Sequence, residues 1–398
     1  MTLNTMTSSR SIEELIAEID ECFVELDMTA AEAERLGTAP DELDVTMRRL
    51  RVPMIKAPVE VGGDHLHLAD QFRYFEALSH ANATAAWAGF NHAGAAGMAG
   101  AILGDEGLEA LFGTDPSPVM AAVSAPSGTY RRVDGGVEVT GTWKYASGVR
   151  HADWVMLTAL EADSAAPSVR IVVVRTADAT IGTDWNVMAL KGTGSVDVTV
   201  DGAFVPDALV VDPMVGTLRG GPMYRLGYQA YVSAENLGFT MGQCQRFLDE
   251  LTTYACGKAR GFDGRLADRG AFQYELGKGQ LAVDAARAHG MMRFREADEL
   301  IRSGHVLDLD EQRGLVAMLA YATEHAANAI SHLFHFAGAS AIFDSNVLQR
   351  CFRDGVAFAT PMVRSSTTSH RTSCSTDSDD RCSTESTIRS RHERGCRA

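Results

Sequence analysis

The chain has 398 residues, a net charge of −16 and 45% hydrophobic content. A field of that sign repels phosphate backbones and argues against nucleic-acid binding, while the apolar fraction suffices for two or three domains with packed cores. No apolar run reaches the roughly 18 residues of a membrane span, and the opening MTLNTMTSSRSIEEL lacks a signal-peptide core, so a cytoplasmic location without membrane contact is expected.

Ser11 and Glu14 form a capping box, and Ile12, Leu15, Ile16, Ile19, Phe23 and Leu26 follow at helical spacing, which predicts a helix from Ser11 to Asp27. Helical signals continue through LADQFRYFEALSHANATAAWAGFNHAGAAGMAGAILG. From about Ser124 the period changes to two: VEVTGTWKYASG, DWVMLTAL, VRIVVVRT and SVDVTVDGAFV read as strands. Helices return from about Tyr224; Gly270–Arg302 and Leu309–Phe336 are long, with Asp308 and Glu311 as a cap and Gly338 as a stop. Strands and helices are segregated, so the expected class is α+β with separate domains at 1–122, 123–222 and 223–360. Residues 361–398 are rich in Ser, Thr and Arg, which suits either a disordered tail or a shifted reading frame over a lost helix. The seven cysteines show no CxxC pair; Cys22, Cys244 and Cys256 are expected as small buried hydrophobes.

One stretch, GTWKYASGVRHADWVML, places Trp143, Lys144, Tyr145, Ser147, Arg150 and His151 around a Ser-Gly break between two strands. It resembles the flavin-contact turn of the acyl-CoA dehydrogenase superfamily. ALKGTGSVDVTVDGAFVPDALVV resembles that family's second β signature, ARGFDGRLADRGAFQYELGK its "R-x-F-G…Q" helix start, and HFAGASAIFDSNVLQRCFRD its "R-x-x-R-D" segment. Within the superfamily, the "W-x-x-A/S-S-G" form of the turn and AAWAGFNHAGAAG are closest to the two-component flavin monooxygenases. The resemblance implies an N-terminal helical domain, a central β-barrel or sandwich, and a C-terminal four-helix bundle, assembled as a homotetramer.

It also implies a chemistry. Reduced flavin, as FADH2 or FMNH2, would react with O2 at its C4a carbon, and the protein must exclude water and hold the flavin N5–H. Ser147, with Gly148 behind it, is the expected N5 acceptor, and Trp143 is expected to wall one ring face. His92 is the candidate proton donor, with Trp87, Asn91 and His92 as the substrate contacts. Arg260, Phe262 and the backbone at Gly338 and Ala339 are the expected phosphate contacts. GTGSVD at Gly192 leads into a strand, so it is not a nicotinamide-binding loop, and a separate NAD(P)H flavin reductase is implied.

Plainer readings stand beside these. Ser147-Gly148 also suits an ordinary hairpin, His92 a core histidine and Trp87 core packing. Arg131, Arg132 and Arg219 suit either a substrate diphosphate or solvated loops. His325, Asn328, His332 and His335 share a helix face, but His325 and His332 lie about 10 Å apart at a helical rise, so no metal site is expected. The small, ring-poor helix WAGFNHAGAAGMAGAI favours a nucleotide-linked amino sugar, N-oxidised to hydroxylamine and nitroso products as by the nitrososynthases of antibiotic biosynthesis. The alternatives are an aromatic or polyketide hydroxylase, an acyl-CoA dehydrogenase, and an inactive flavin-binding scaffold.

Overall fold

The computed structural model describes residues 10–214, 216–259 and 264–357. Six helices come first: α1 Ile12–Glu21, α2 Phe23–Leu36, α3 Asp41–Arg49, α4 Leu68–Ala81, α5 Ala83–Ile102 and α6 Asp105–Phe112. The strands are β1 Met120–Val133, β2 Gly136–Ala146, β3 Trp154–Glu161, β4 Val169–Arg175, β5 Thr180–Ile181, β6 Val196–Pro206 and β7 Val210–Val211. The chain returns to helix with α7 Tyr228–Tyr231, α8 Ser233–Gly257, α9 Gly270–Arg302, α10 Leu309–Ala337 and α11 Val347–Ala357.

Both capping boxes form: Ser11 with Glu14 opens α1, and Asp308 with Glu311 opens α10. The first expected helix is broken at Cys22, where ψ moves to 2°, and α2 begins at Phe23. Cys244 is buried as expected, whereas Cys256, near the end of α8, is exposed.

The strands form one seven-stranded sheet in the order β5-β6-β2-β1-β3-β4-β7. It is the central β domain of the expected helix–strand–helix architecture. The outermost strands, β5 and β7, are two residues long. The core under the sheet is built by Val137, Val139, Trp143, Val155, Val198 and Val200 on alternating positions.

Helix α5 is the pivot of the molecule. Its Ala95, Ala96 and Ala99 belong to the core under the sheet, while Ala85, Ala86, Phe90 and Ala93 belong to the core of the N-terminal helices. Alanine and glycine on every side let neighbours approach from all directions, so the helix has no polar face. Close packing recurs where α4 crosses α8: a Cβ on Gly242 would lie 2.4 Å from the Glu76 carbonyl oxygen. Helices α8 to α11 form the C-terminal bundle around Phe247, Phe294, Leu319 and Ile330.

Candidate active site

The Ser-Gly break ends β2 and turns directly onto α5. Gly148 has φ +72°, and a Cβ there would fall 2.6–2.7 Å from the His92 ring, so only glycine lets the turn lie on that histidine. The His92 Nδ1–H donates to the Met120 carbonyl at 2.8 Å, leaving the ring's lone pair on Nε2. Burial pushes the His92 pKa down to about 4, only partly opposed by that bond. His92 is therefore a neutral strut beneath the turn. The structure does not place it among the residues lining the adjoining cavity, in contrast to the expected proton donor and substrate contact. On a helix buried all round, sequence spacing does not tell which residue faces the cavity.

Ser147 is 6% exposed and heads a row of hydroxyls. The Trp87 Nε1–H donates to Ser147 Oγ at 3.1 Å. Ser147 Oγ lies 2.7 Å from Ser195 Oγ, which lies 2.8 Å from Thr193 Oγ1, whose hydroxyl donates to the Leu190 carbonyl at 2.9 Å. The Gly148 N–H donates to the Thr193 carbonyl at 3.1 Å, so the turn and the 190–195 segment are tied twice. Trp87 also packs edge-on to Phe90 and Phe239, at 4.8 and 5.0 Å between centroids. It thus packs in the core and also bonds to the turn.

Trp143 is fully buried under the sheet, its Nε1–H donating to the Thr158 carbonyl at 2.7 Å. It presents no face to a ligand, which corrects its expected role against the flavin ring. The exposed ring beside the turn belongs to Tyr145, at 71% exposure and with φ +66°. A bulky residue in the left-handed region is a strained position of the kind that gathers at functional sites. Next to it, β1 leaves its ladder with β3 between Val123 and Gly128, and Ser124, Ala125, Pro126 and Ser127 are exposed although β1 is the middle strand. A central strand exposing four residues is a shelf that a bound group can cover. The break at Pro126 is the sequence signal for it.

A cavity of about 600 Å³ opens between α5, the sheet and the 212–232 segment. Phe90, Asn91 and Met98 line it from α5, Met156 and Ile171 from the sheet, and Tyr224, Tyr228 and Tyr231 from the opposite wall. Asn91 is the one expected substrate contact whose residue lines it; its amide also donates to the Trp87 carbonyl at 2.8 Å. Behind Tyr231 lies a buried ion pair, Lys56 Nζ to Glu235 Oε1 at 2.6 Å, with Nζ 3.5 Å from the Tyr231 ring centroid. Burial lowers the Lys56 pKa and raises that of Glu235.

Of the expected phosphate contacts, Arg260 and Phe262 lie outside the described residues. Gly338, with φ +72°, ends α10 and leads into Ala339. Tyr254 donates to the Ala337 carbonyl and Lys258 to Ser340, which places this turn beside the segment leading to Arg260. Arg131 and Arg132, exposed near the end of β1, are paired with Asp163 and Asp207, and the half-buried Arg219 with Asp105. His332 is bound to Glu275 at 3.1 Å, and no metal-binding cluster of His, Cys, Asp or Glu occurs among the described residues. Among them too, no helix is long and apolar enough to cross a membrane.

Residues 237–360 match the family model "Acyl-CoA dehydrogenase, C-terminal domain". The chain is 25% identical over 360 residues to a pigment production hydroxylase of Rhodococcus erythropolis, covering 87% of this chain and 90% of the relative. It is 25% identical over 348 residues to the flavin-dependent monooxygenase oxygenase subunit HsaA of Rhodococcus jostii, covering 82% and 88%. Among solved structures it superimposes on XiaF from a Streptomyces species, in complex with FADH2 and glycerol, with a TM-score of 0.83 and 24% identity over 90% and 93% of the chains. It superimposes on KijD3 in complex with dTDP with a TM-score of 0.73 and 18% identity over 94% and 98%. The fold is acyl-CoA dehydrogenase-like.

Proposed function

We infer that this chain is the oxygenase component of a two-component flavin-dependent monooxygenase that hydroxylates an aromatic, largely apolar substrate. That it is an enzyme of the flavin-dependent monooxygenase kind, using reduced flavin and O2, follows from relatives that align over most of their length. The designation of one of them as an oxygenase subunit supports a separate reductase. The substrate class rests on the cavity: Phe90, Met98, Met156, Tyr224, Tyr228 and Tyr231 surround it with rings and thioethers. The reading of α5 as ring-poor missed the tyrosines, which come from a segment more than a hundred residues away.

The turn fits the cofactor. Ser147 has a lone pair to spare for the N5–H of a reduced flavin, and the Tyr145 ring beside the 124–127 shelf offers an exposed flat face. When bound, reduced flavin would supply the two electrons that activate O2, one atom of which goes to the substrate and the other to water. The chain's residues do the rest. Ser147 holds the N5–H, His92 and Gly148 fix the turn, and Asn91 offers the cavity a polar contact from α5. The apolar wall excludes water. Arg260, Phe262 and the Gly338–Ala339 turn are assigned to the phosphate end of the cofactor, shared across a homotetramer.

A second reading, N-oxidation of a nucleotide-linked amino sugar, is favoured by the fold likeness to KijD3. The two separate in one experiment. The reduced-flavin complex is mixed with isotopically heavy O2 in the presence of phenols and bicyclic aromatics, or of dTDP-linked amino sugars. A labelled hydroxyl on an aromatic probe is the expected product. A labelled hydroxylamine from the sugars, with aromatics untouched, would replace the first reading by the second.

A further inference from the structure

The hydroxyls behind the turn have only one hydrogen-bonding arrangement that leaves none idle. The Leu190 carbonyl, which also accepts the Trp185 Nε1–H at 3.0 Å and the Thr193 N–H at 3.2 Å, has no hydrogen, so in its 2.9 Å contact the Thr193 hydroxyl is the donor. Thr193 then has none left for Ser195 and can only accept, so Ser195 donates to Thr193. Ser195 in turn has none left for Ser147, so Ser147 donates to Ser195. Ser147 is left with two lone pairs, one of them taken by the Trp87 Nε1–H. The direction of the row is therefore set at its far end, by a carbonyl.

That carbonyl is itself held. Leu190 has φ +56°, and its N–H donates to Asp354 Oδ1 at 2.7 Å. Arg353 donates to the Met188 carbonyl and pairs with Glu34 at 2.7 Å. The Arg-Asp pair on α11 thus holds the two peptides that lead into Leu190, the residue whose carbonyl ends the row. Thr193 and Ser195 are 1% and 4% exposed, so water does not compete for their hydrogens.

We propose that the one-way row Ser147–Ser195–Thr193, anchored on the Leu190 carbonyl, makes Ser147 a pure acceptor and so selects reduced over oxidised flavin. The inference rests on the proposed flavin contact. Reduced flavin carries a hydrogen on N5 and oxidised flavin a lone pair there. A serine that shows only a lone pair binds the first and repels the second. Ser195 and Thr193 are positioning residues that act through Ser147.

The test is the ratio of the oxidised-flavin Kd to the reduced-flavin Kd, measured anaerobically by fluorescence titration with FMN and FAD. Wild type favours the reduced form. Ser195→Ala removes the acceptor of the Ser147 hydrogen, and Thr193→Val removes that of Ser195; both free the Ser147 hydroxyl to donate outward. Each lowers the ratio by about tenfold or more, the size of one hydrogen bond gained or lost. Thr193→Ser restores it. A structural defect alone weakens both flavins together, so circular dichroism and melting curves accompany each variant. If Ser147→Ala compresses the ratio while Ser195→Ala and Thr193→Val leave it unchanged, the row has no such role and the flavin contact stands. If Ser147→Ala also leaves it unchanged, the contact and the row both fall.

Discussion

Two buried polar assemblies are set into apolar surroundings on different faces of α5, and they meet the cost of burial differently. The hydroxyl row behind Ser147 is neutral, and each of its hydrogens has an acceptor. The Lys56–Glu235 pair is charged and wholly buried, and Glu235 Oε2 has no hydrogen-bond partner. A satisfied neutral row costs little and gives direction. A buried ion pair gains Coulomb energy but loses hydration on both sides, so it serves to fix where two parts meet rather than to stabilise them. Here it joins the loop before α4 to α8, behind the tyrosines of the cavity, where Tyr224 also donates to the Lys56 carbonyl.

The largest expected effect breaks the charged assembly. Lys56→Met strands a buried carboxylate and is expected to cost about 3–5 kcal/mol, whereas Lys56→Met with Glu235→Leu returns to within about 1 kcal/mol of wild type. Urea unfolding of the single and double variants measures both. A double variant as unstable as the single one would mean that the pair itself stabilises the fold.

The second effect concerns the strut under the neutral row. The His92 pKa is about 4 when folded against 6.5 as the ordinary value. Below 6.5 the unfolded chain takes up a proton that the folded chain refuses, so stability falls as pH falls from 6.5 to 4. The loss relative to His92→Gln is expected to reach about 3 kcal/mol. Parallel pH profiles for the two proteins would show that His92 titrates normally and is not enclosed.

Gly148→Ala pushes a Cβ into the His92 ring at a left-handed position and is expected to cost about 2 kcal/mol. Thermal melts read it, and pairing it with His92→Ala should recover part of the loss, leaving the backbone share. The smallest effect sharpens the row itself. Trp87→Phe keeps the packing against Phe90 and Phe239 but removes the donor to Ser147, at about 1 kcal/mol. A Trp87→Phe protein with unchanged urea midpoint would mean that the Ser147 contact contributes no net stability.

How legible was all this in the sequence? The capping boxes at Ser11 and Asp308 were readable, because a cap is made by residues three apart. The long helices α9 and α10 and the valine-rich strands were readable for the same reason: their signal is a local period. Ser147 and Trp87 were legible as individual residues, but not the bond between them, which spans sixty positions. Trp143 was misplaced because two neighbouring aromatics, Trp143 and Tyr145, end one strand. Their period of two would put them on the same face, and only the positive φ at Tyr145 turns its ring outward.

What the sequence alone determined is the order of helix, strand and helix and the glycine-bearing turn, since these depend on backbone preference and on neighbours a few residues away. The tertiary structure alone decided which residues share the cavity, where the hydroxyl row ends and what the buried lysine meets. Those contacts join positions such as Lys56 and Glu235, or Leu190 and Asp354, whose proximity costs chain entropy and is returned only by packing of the whole molecule.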